Sequence, residues 1–108
     1  MAAVAITGNQ FPITREQTAV PTTWQEFTLP PGTRYVTVKT VGASYVAWSG
    51  SGAADGGAVS ATARYPQAAN AGERWDVRPN GPGGRPATSV FVAAQAATTT
   101  VNIAVEGG

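Results

Sequence analysis

Apolar and polar residues alternate with a period of two along much of the chain. In the stretch "VNIAVE" the apolar positions are Val101, Ile103 and Val105, and in "YVTVKTV" a polar residue separates Val36 from Val38. This alternation is typical of β-strands that bury one face and expose the other to water. The pattern therefore predicts half-buried strands.

Turn-forming residues separate the alternating stretches. They include "PPG" at 30–32, "DGG" at 55–57, "NAG" at 70–72 and "PNGPGG" at 79–84. Short strands separated in this way are typical of a sandwich or a barrel. We predict about eight strands, at Ala3–Thr7, Trp24–Leu29, Tyr35–Val41, Tyr45–Trp48, Ala58–Ala63, Glu73–Arg78, Thr88–Ala94 and Thr99–Glu106.

The segment Gly8–Thr23, "GNQFPITREQTAVPTT", differs from the rest because Pro12 and Pro21 interrupt it and it shows no sustained alternation. Residues that precede proline favour extended backbone, so we predict an extended arm or a long loop that lies on the sheets. A flexible N-terminal connection is the alternative. The expected fold is one all-β domain: an N-terminal strand and arm over residues 1–23, followed by an antiparallel, jelly-roll-like β-sandwich over residues 24–108.

Composition excludes several kinds of chemistry. The 108 residues contain no Cys and no His, so disulfides, thiolate metal sites and the commonest general base are absent. Seven Lys and Arg against six Asp and Glu give a net charge of +1, which disfavours a nucleic-acid-binding face. Charged residues make up 12% of the chain, against about 25% in typical domains. Because interface cores are poor in charge, we expect part of the surface to be covered by a partner.

The N-terminal sequence "MAAVAITGNQ" has no basic residue and only a short apolar run. It does not resemble a signal peptide, and no apolar run approaches the ~20 residues of a membrane-spanning helix. We expect a soluble protein that is made in the cytoplasm and has no membrane partner.

The stretch "WSGSGAADGG", Trp48–Gly57, raises the possibility of a phosphate-binding loop. A phosphate loop ends in Gly-Lys followed by Ser or Thr, and a dinucleotide-binding loop opens a helix. Here no Lys follows, and the next residues, "AVSATARYP", predict another strand. We therefore predict a hairpin loop, in which Asp55-Gly56 suits positive φ, with Trp48 anchored in the core.

The carboxylates do not form a recognisable catalytic or metal-binding pattern. Glu73 and Asp76 stand three apart on a predicted strand and so point to opposite faces, and the others are far apart in the sequence. A glycosidase needs a facing pair of carboxylates, and calcium needs a cluster of oxygen donors. We predict no enzymatic activity, no catalytic residue, no metal, no cofactor and no small-molecule substrate.

The aromatic residues are predicted to pack mainly in the core. Tyr45 and Trp48 face opposite ways on their strand, and Trp75 shares a face with Val77, so no flat row of rings is expected. Trp24 stands beside the predicted arm and is a candidate for holding it in place. Separately, the charged positions 74, 76 and 78 form a mixed-sign row that is either a solvated face or the rim of a subunit contact.

Three stretches carry a resemblance to a known group of proteins. They are "RYVTVKTVGASYVAWSG", "YPQAANAGERWDVRPNG" and "TSVFVAAQAATTTVNIAVEGG", which together span about Tyr35 to Gly108. This part of the chain resembles the small single-domain β-sandwich proteins of tailed-bacteriophage virions. The resemblance lies in the pattern of strands and turns.

The resemblance implies a structural protein of the virion, most simply a capsid decoration (cement) protein on the head surface. Such a protein would be a homotrimer that binds the major capsid protein, with the arm residues Phe11, Pro12, Ile13 and Arg15 as candidate contacts. The alternatives are a neck, tail or fibre component, or a carbohydrate- or receptor-binding module.

Overall fold

The structure is a computed structural model that describes residues 4–8, 10–49, 65–78, 81 and 86–107. Two predicted features, the strand Ala58–Ala63 and the glycine-rich loop after Ser49, lie outside these residues. The described residues form β-strands and no helix, so they include no helix that could cross a membrane.

The nine strands of the described residues form two sheets that pack together. They are β1 Val4–Ala5, β2 Ile13–Val20, β3 Gln25–Thr28, β4 Thr33–Thr40, β5 Ser44–Trp48, β6 Tyr65–Gln67, β7 Ala71–Asp76, β8 Ser89–Ala94 and β9 Thr99–Gly107. A five-stranded sheet has the order β1-β3-β8-β5-β6, and a four-stranded sheet has the order β2-β9-β4-β7. All neighbours are antiparallel except β1 and β3. The expected all-β fold with mostly antiparallel sheets is confirmed.

The core lies between the two sheets and consists of the apolar residues that the alternation predicted. Val36 and Val38 of β4 pair with Val105 and Ile103 of β9, and all four side chains are fully buried. Phe27, Val46, Trp48 and Val92 approach them from the five-stranded sheet, together with other residues of the same cluster. Burial of these side chains provides the main stabilising force that holds the sheets together.

Two strands were not predicted. Ile13–Val20 forms β2, which pairs with β9, so the central part of the expected arm is a strand of the four-stranded sheet. Tyr65–Gln67 forms the short strand β6 despite Pro66. Among the described strands β6 has only one neighbour, β5, and at such an edge proline removes no hydrogen bond to a second strand.

The N-terminal segment crosses from one sheet to the other. β1 belongs to the five-stranded sheet and β2 to the four-stranded sheet, and Phe11 lies between them in the sequence. The Phe11 ring packs against Gly107 and Gly32, where an added Cβ would lie 2.8 Å and 3.7 Å from ring carbons. The peptide bond between Phe11 and Pro12 is cis.

A small second cluster covers part of the outer face of the five-stranded sheet. Phe91 and Ala47 are fully buried there, and Trp24 packs against them. Trp24 therefore packs on β5 and β8.

Candidate functional site

The outer face of the four-stranded sheet is polar and carries cross-strand rows of side chains. Glu16, Asn102, Lys39 and Gly72 occupy directly paired positions on β2, β9, β4 and β7. Directly paired residues lie on the same face, so these four form one row across the whole sheet. In the neighbouring row the two central residues are Thr37 of β4 and Ala104 of β9. Their side chains are small, so they leave a depression in the middle of the face.

A groove of about 460 Å³ follows this face. It is lined by Glu16, Thr37, Lys39, Thr40, Val41, Asn70, Thr100, Asn102 and Ala104. The Asn102 amide Nδ2 donates to Glu16 Oε2 at 3.5 Å, which places one carboxylate on the β2 side. Across the groove, the stem of Lys39 lies over Gly72, because a Cβ on that glycine would be only 2.8 Å from Lys39 Cγ. The groove thus has an acidic side and a basic side, with hydroxyl and amide groups between them.

A charged cluster closes one end of the same face. Arg74 Nε lies 3.2 Å from Glu106 Oε1, and Arg34 Nη2 lies 3.7 Å from Asp76 Oδ2. The ring of Tyr35 lies beneath both guanidinium groups, 4.0 Å from that of Arg74 and 5.3 Å from that of Arg34. Both ion pairs are exposed, so each contributes little to stability and serves mainly to orient the side chains.

The two edge strands of this sheet carry exposed charges. On β2, Arg15 pairs with the buried Ile103, so it lies on the inward-facing side although it is exposed. Its guanidinium donates to Gln17 Oε1 at 3.0 Å. On β7, Glu73 pairs with the buried Val38 and is likewise exposed on the inward-facing side.

A line of aromatic rings runs from the surface into the core beside β7. Tyr65 and Trp75 have centroids 5.1 Å apart, and Trp75 and Trp48 have centroids 5.4 Å apart. The interplanar angles are 83° and 54°, and Trp48 is buried, so the rings form no flat platform of the kind that carbohydrate-binding modules present. The predicted core role of Trp48 is confirmed.

The hydroxyl of Tyr65 donates to Glu73 Oε2 at 3.1 Å. This hydrogen bond, together with the negative charge of Glu73 and a smaller contribution from burial, raises the pKa of Tyr65 above its ordinary value of 10.0. Tyr65 thus stays neutral to higher pH than a free tyrosine.

The four candidate contact residues of the N-terminal segment have different environments. Ile13 is 9% exposed and belongs to the chain's own core, and Phe11 is half-buried against two glycines. Pro12 and Arg15 are exposed. Only Pro12 and Arg15 are therefore fully available to a partner on this surface.

The polar face was not identified from the sequence as a site. The alternation predicts that Lys39 and Asn102 face outward. That they form one row with Glu16 follows only from the pairing of β9 with both β2 and β4, which the sequence does not show. Among the described residues, no three Asp or Glu side chains lie close enough together to hold a metal ion.

The fold and this surface define an all-β protein of two packed sheets with a polar, grooved outer face. Comparison of the chain with protein-family models, with curated protein sequences and with solved structures finds no match.

Proposed function

We propose that this protein is a structural component of a tailed-phage virion, most simply a capsid decoration protein that acts by binding alone. In this proposal it is a jelly-roll-like homotrimer on the capsid surface, made in the host cytoplasm. It binds the major capsid protein and stabilises the head. The assignment to a phage virion rests on the sequence resemblance of Tyr35 to Gly108.

One structural observation supports a role in assembly: the four-stranded sheet presents two exposed edge strands, β2 and β7. Within the described residues neither strand has a partner on its outer edge, and most of their side chains are exposed. The backbone N–H and C=O groups of an edge strand are available to pair with another chain. Such edges offer one way to join neighbouring subunits.

The character of the surface supports the same proposal. The polar groove between Glu16 and Lys39 is lined largely by hydroxyl, amide and small side chains. Such a surface can make many individually weak contacts, and repeated copies of them hold firmly when several subunits bind together at a symmetry axis. Of the four candidate contacts, Pro12 and Arg15 are exposed, and Pro12, which immediately precedes β2, is the one proposed to contact the capsid.

The test is co-sedimentation of the purified protein with heads and, separately, with tails of the phage whose genome encodes it. We expect saturable binding to heads, and we expect heads without the protein to release DNA at a lower temperature than heads with it. A Pro12→Glu variant should bind heads more weakly, whereas Gln10→Glu, the same change in charge at an exposed neighbour, should bind normally.

Binding to tails and not to heads would replace the decoration role with that of a tail component. Absence of binding to either particle would overturn the proposal. The carbohydrate-binding alternative would require binding to a glycan array at the exposed Tyr65.

A further inference from the structure

The two edges of the four-stranded sheet run in opposite directions. β2 is antiparallel to β9, β9 to β4, and β4 to β7, so β2 and β7 are antiparallel to each other. Copies related by a rotation axis parallel to the strands would therefore bring β7 of one copy alongside β2 of the next in antiparallel orientation. Antiparallel pairing of this kind continues the sheet from copy to copy.

The two edges also carry inverted charge patterns. On its inward-facing side β2 presents Arg15, and on its outward side Glu16; both are exposed. β7 presents Glu73 on its inward-facing side and Arg74 on its outward side, and both are exposed. At these four positions the two edges carry opposite charges on the same face. β7 also carries the exposed Asp76 on its outward side, where it lies 3.7 Å from Arg34 of its own chain.

Lys39 adds a second positive charge to the β7 edge. Its stem lies over Gly72, and a Cβ at that position would be 2.8 Å from Lys39 Cγ. Only glycine leaves room for a lysine on β4 to lean across β7 in this way. The Lys39 stem from Cγ to Cε therefore covers Gly72 on β7.

We propose that β2 of one copy pairs with β7 of the next, with Arg15 directly opposite Glu73 of the next copy. In this register Glu16 lies opposite Gly72, next to Lys39, and Ile13 lies opposite Trp75. The row Glu16, Asn102, Lys39, Gly72 then continues into Glu16 of the following copy. The pairing covers Ile13–Gln17, since a bulge interrupts β2 between Gln17 and Val20.

The inward-facing Arg15 makes this pairing selective. A charged side chain on the inner side of an edge strand opposes pairing with an arbitrary strand, because its charge would be partly desolvated without a partner. Glu73 of the next copy provides this partner. If β2 paired instead with β2 of another copy, Arg15 would lie opposite a second Arg15 or an uncharged residue. Charge complementarity therefore favours β2 with β7 over β2 with β2.

The pairing of β2 with β7 would be the contact between subunits of the proposed trimer. It rests on the proposed function only for the number of copies, which is three. The inner face of the four-stranded sheet is covered by the other sheet, so the grooved outer face would turn towards the symmetry axis. Three copies would place three Glu16–Lys39 contacts around that axis.

The direct test is the double variant R15C/E73C in the full chain, which has no other cysteine. Within one chain β2 and β7 are three strand spacings apart, about 14 Å, whereas a disulfide needs Cα atoms within about 7 Å. A disulfide can therefore form only between copies. We expect mild oxidation to give a covalent species of three times the 11.0 kDa monomer mass, which reductant converts to monomer.

The matched control is T18C/E73C, because Thr18 follows the last regularly paired residue before the bulge. It should crosslink only at background level. Equal crosslinking of both variants, or a monomer in both, would overturn the inference.

Charge reversal gives a second measurement by sedimentation velocity. Arg15→Glu and Glu73→Arg should each weaken self-association by on the order of tenfold or more, and the combined variant should restore it. Arg78 lies beyond the end of β7 and outside the proposed contact. Arg78→Glu changes the net charge as much as Arg15→Glu does, but it should leave association unchanged. Equal weakening by Arg15→Glu and Arg78→Glu, or a wild-type protein that stays monomeric at ~100 μM, would contradict the proposed pairing.

These outcomes are separable from the head-binding test. A ring that forms in solution but fails to bind heads overturns the proposed function and leaves the pairing intact. A protein that binds heads as a monomer overturns the pairing and leaves the proposed function intact.

Discussion

Gln67 is the buried polar side chain that joins the two sheets beside β7. It is 3% exposed, and its Nε2 lies 3.1 Å from the Val38 carbonyl, 2.9 Å from Thr40 Oγ1 and 3.1 Å from the Ala71 carbonyl. Two of these neighbours can only accept hydrogen bonds. An amide nitrogen suits the position because it donates, and a buried carbonyl left without a donor is costly.

We predict that Gln67→Leu lowers the free energy of unfolding by about 1–3 kcal/mol, since it leaves two buried carbonyls without a side-chain donor. Gln67→Glu should be at least as damaging at neutral pH because a carboxylate cannot donate to those carbonyls. Urea unfolding measures both variants. Gln10→Leu, an exposed glutamine, serves as the control and should change stability by less than about 0.5 kcal/mol.

Tyr65 gives the fold a dependence on alkaline pH. Its raised pKa means that the native state favours the neutral phenol, so this stabilisation is fully present below pH 10.0, the ordinary pKa. It is lost as the pH rises through the raised pKa. In the wild type, the NMR titration of Tyr65 should have a midpoint above 10.0, and Glu73→Gln should bring it down. An unchanged midpoint in Glu73→Gln would show that the hydrogen bond to Glu73 is not the cause.

At the scale of elements, β2 shows why a strand can be missed when strands are predicted from the alternation of apolar and polar residues. Arg15 and Gln17 occupy inward-facing positions, where an alternating pattern would have apolar residues. These positions tolerate polar side chains because β2 is at the edge of its sheet, where Arg15 remains exposed. The hydrophobic pattern therefore identifies the central strands β4 and β9 and also the edge strand β7, but it misses the edge strand β2.

The bulge in β2 offers an element-scale prediction. Ala19 has φ of 55°, a left-handed conformation that costs a residue with a Cβ about 1–2 kcal/mol. Ala19→Gly should therefore raise the free energy of unfolding by up to about 1 kcal/mol, and Ala19→Val should lower it. The matched control is Asn70→Gly at φ 57°, which should change stability less because Asn adopts this conformation readily. Thermal unfolding of the three variants distinguishes these effects.

At the scale of the whole molecule, the N-terminal segment connects the two sheets. It places β1 in one sheet and β2 in the other, and Phe11 between them packs on the end of β9 at Gly107 and on the turn at Gly32. Phe11 thus joins the N-terminal segment to the C-terminal end of β9. This contact resists separation of the segment that contains Pro12 and Arg15.

We predict that Gly107→Ala lowers the free energy of unfolding by about 1–3 kcal/mol, because the new methyl would lie 2.8 Å from Phe11 Cδ2 and displace the half-buried ring. Gly72→Ala creates an equally short contact, but with the flexible Lys39 side chain, which can move. It should cost less in stability, while weakening the proposed pairing of β7 with β2. Chemical unfolding compares the two variants, and a larger loss for Gly72→Ala would contradict this explanation.

The sequence by itself determined the all-β class and the residues of the core, because a strand with one buried face must alternate whatever its partners are. Val36, Val38 and Ile103 were recognisable for that reason. Only the tertiary structure decided that Ile13–Val20 is a strand, that Glu16, Asn102, Lys39 and Gly72 form one row, and that Arg15 and Glu73 lie on the same inward side of opposite edges. Strand order and register are set by contacts between residues far apart in the chain, and local alternation carries no information about which strands become neighbours.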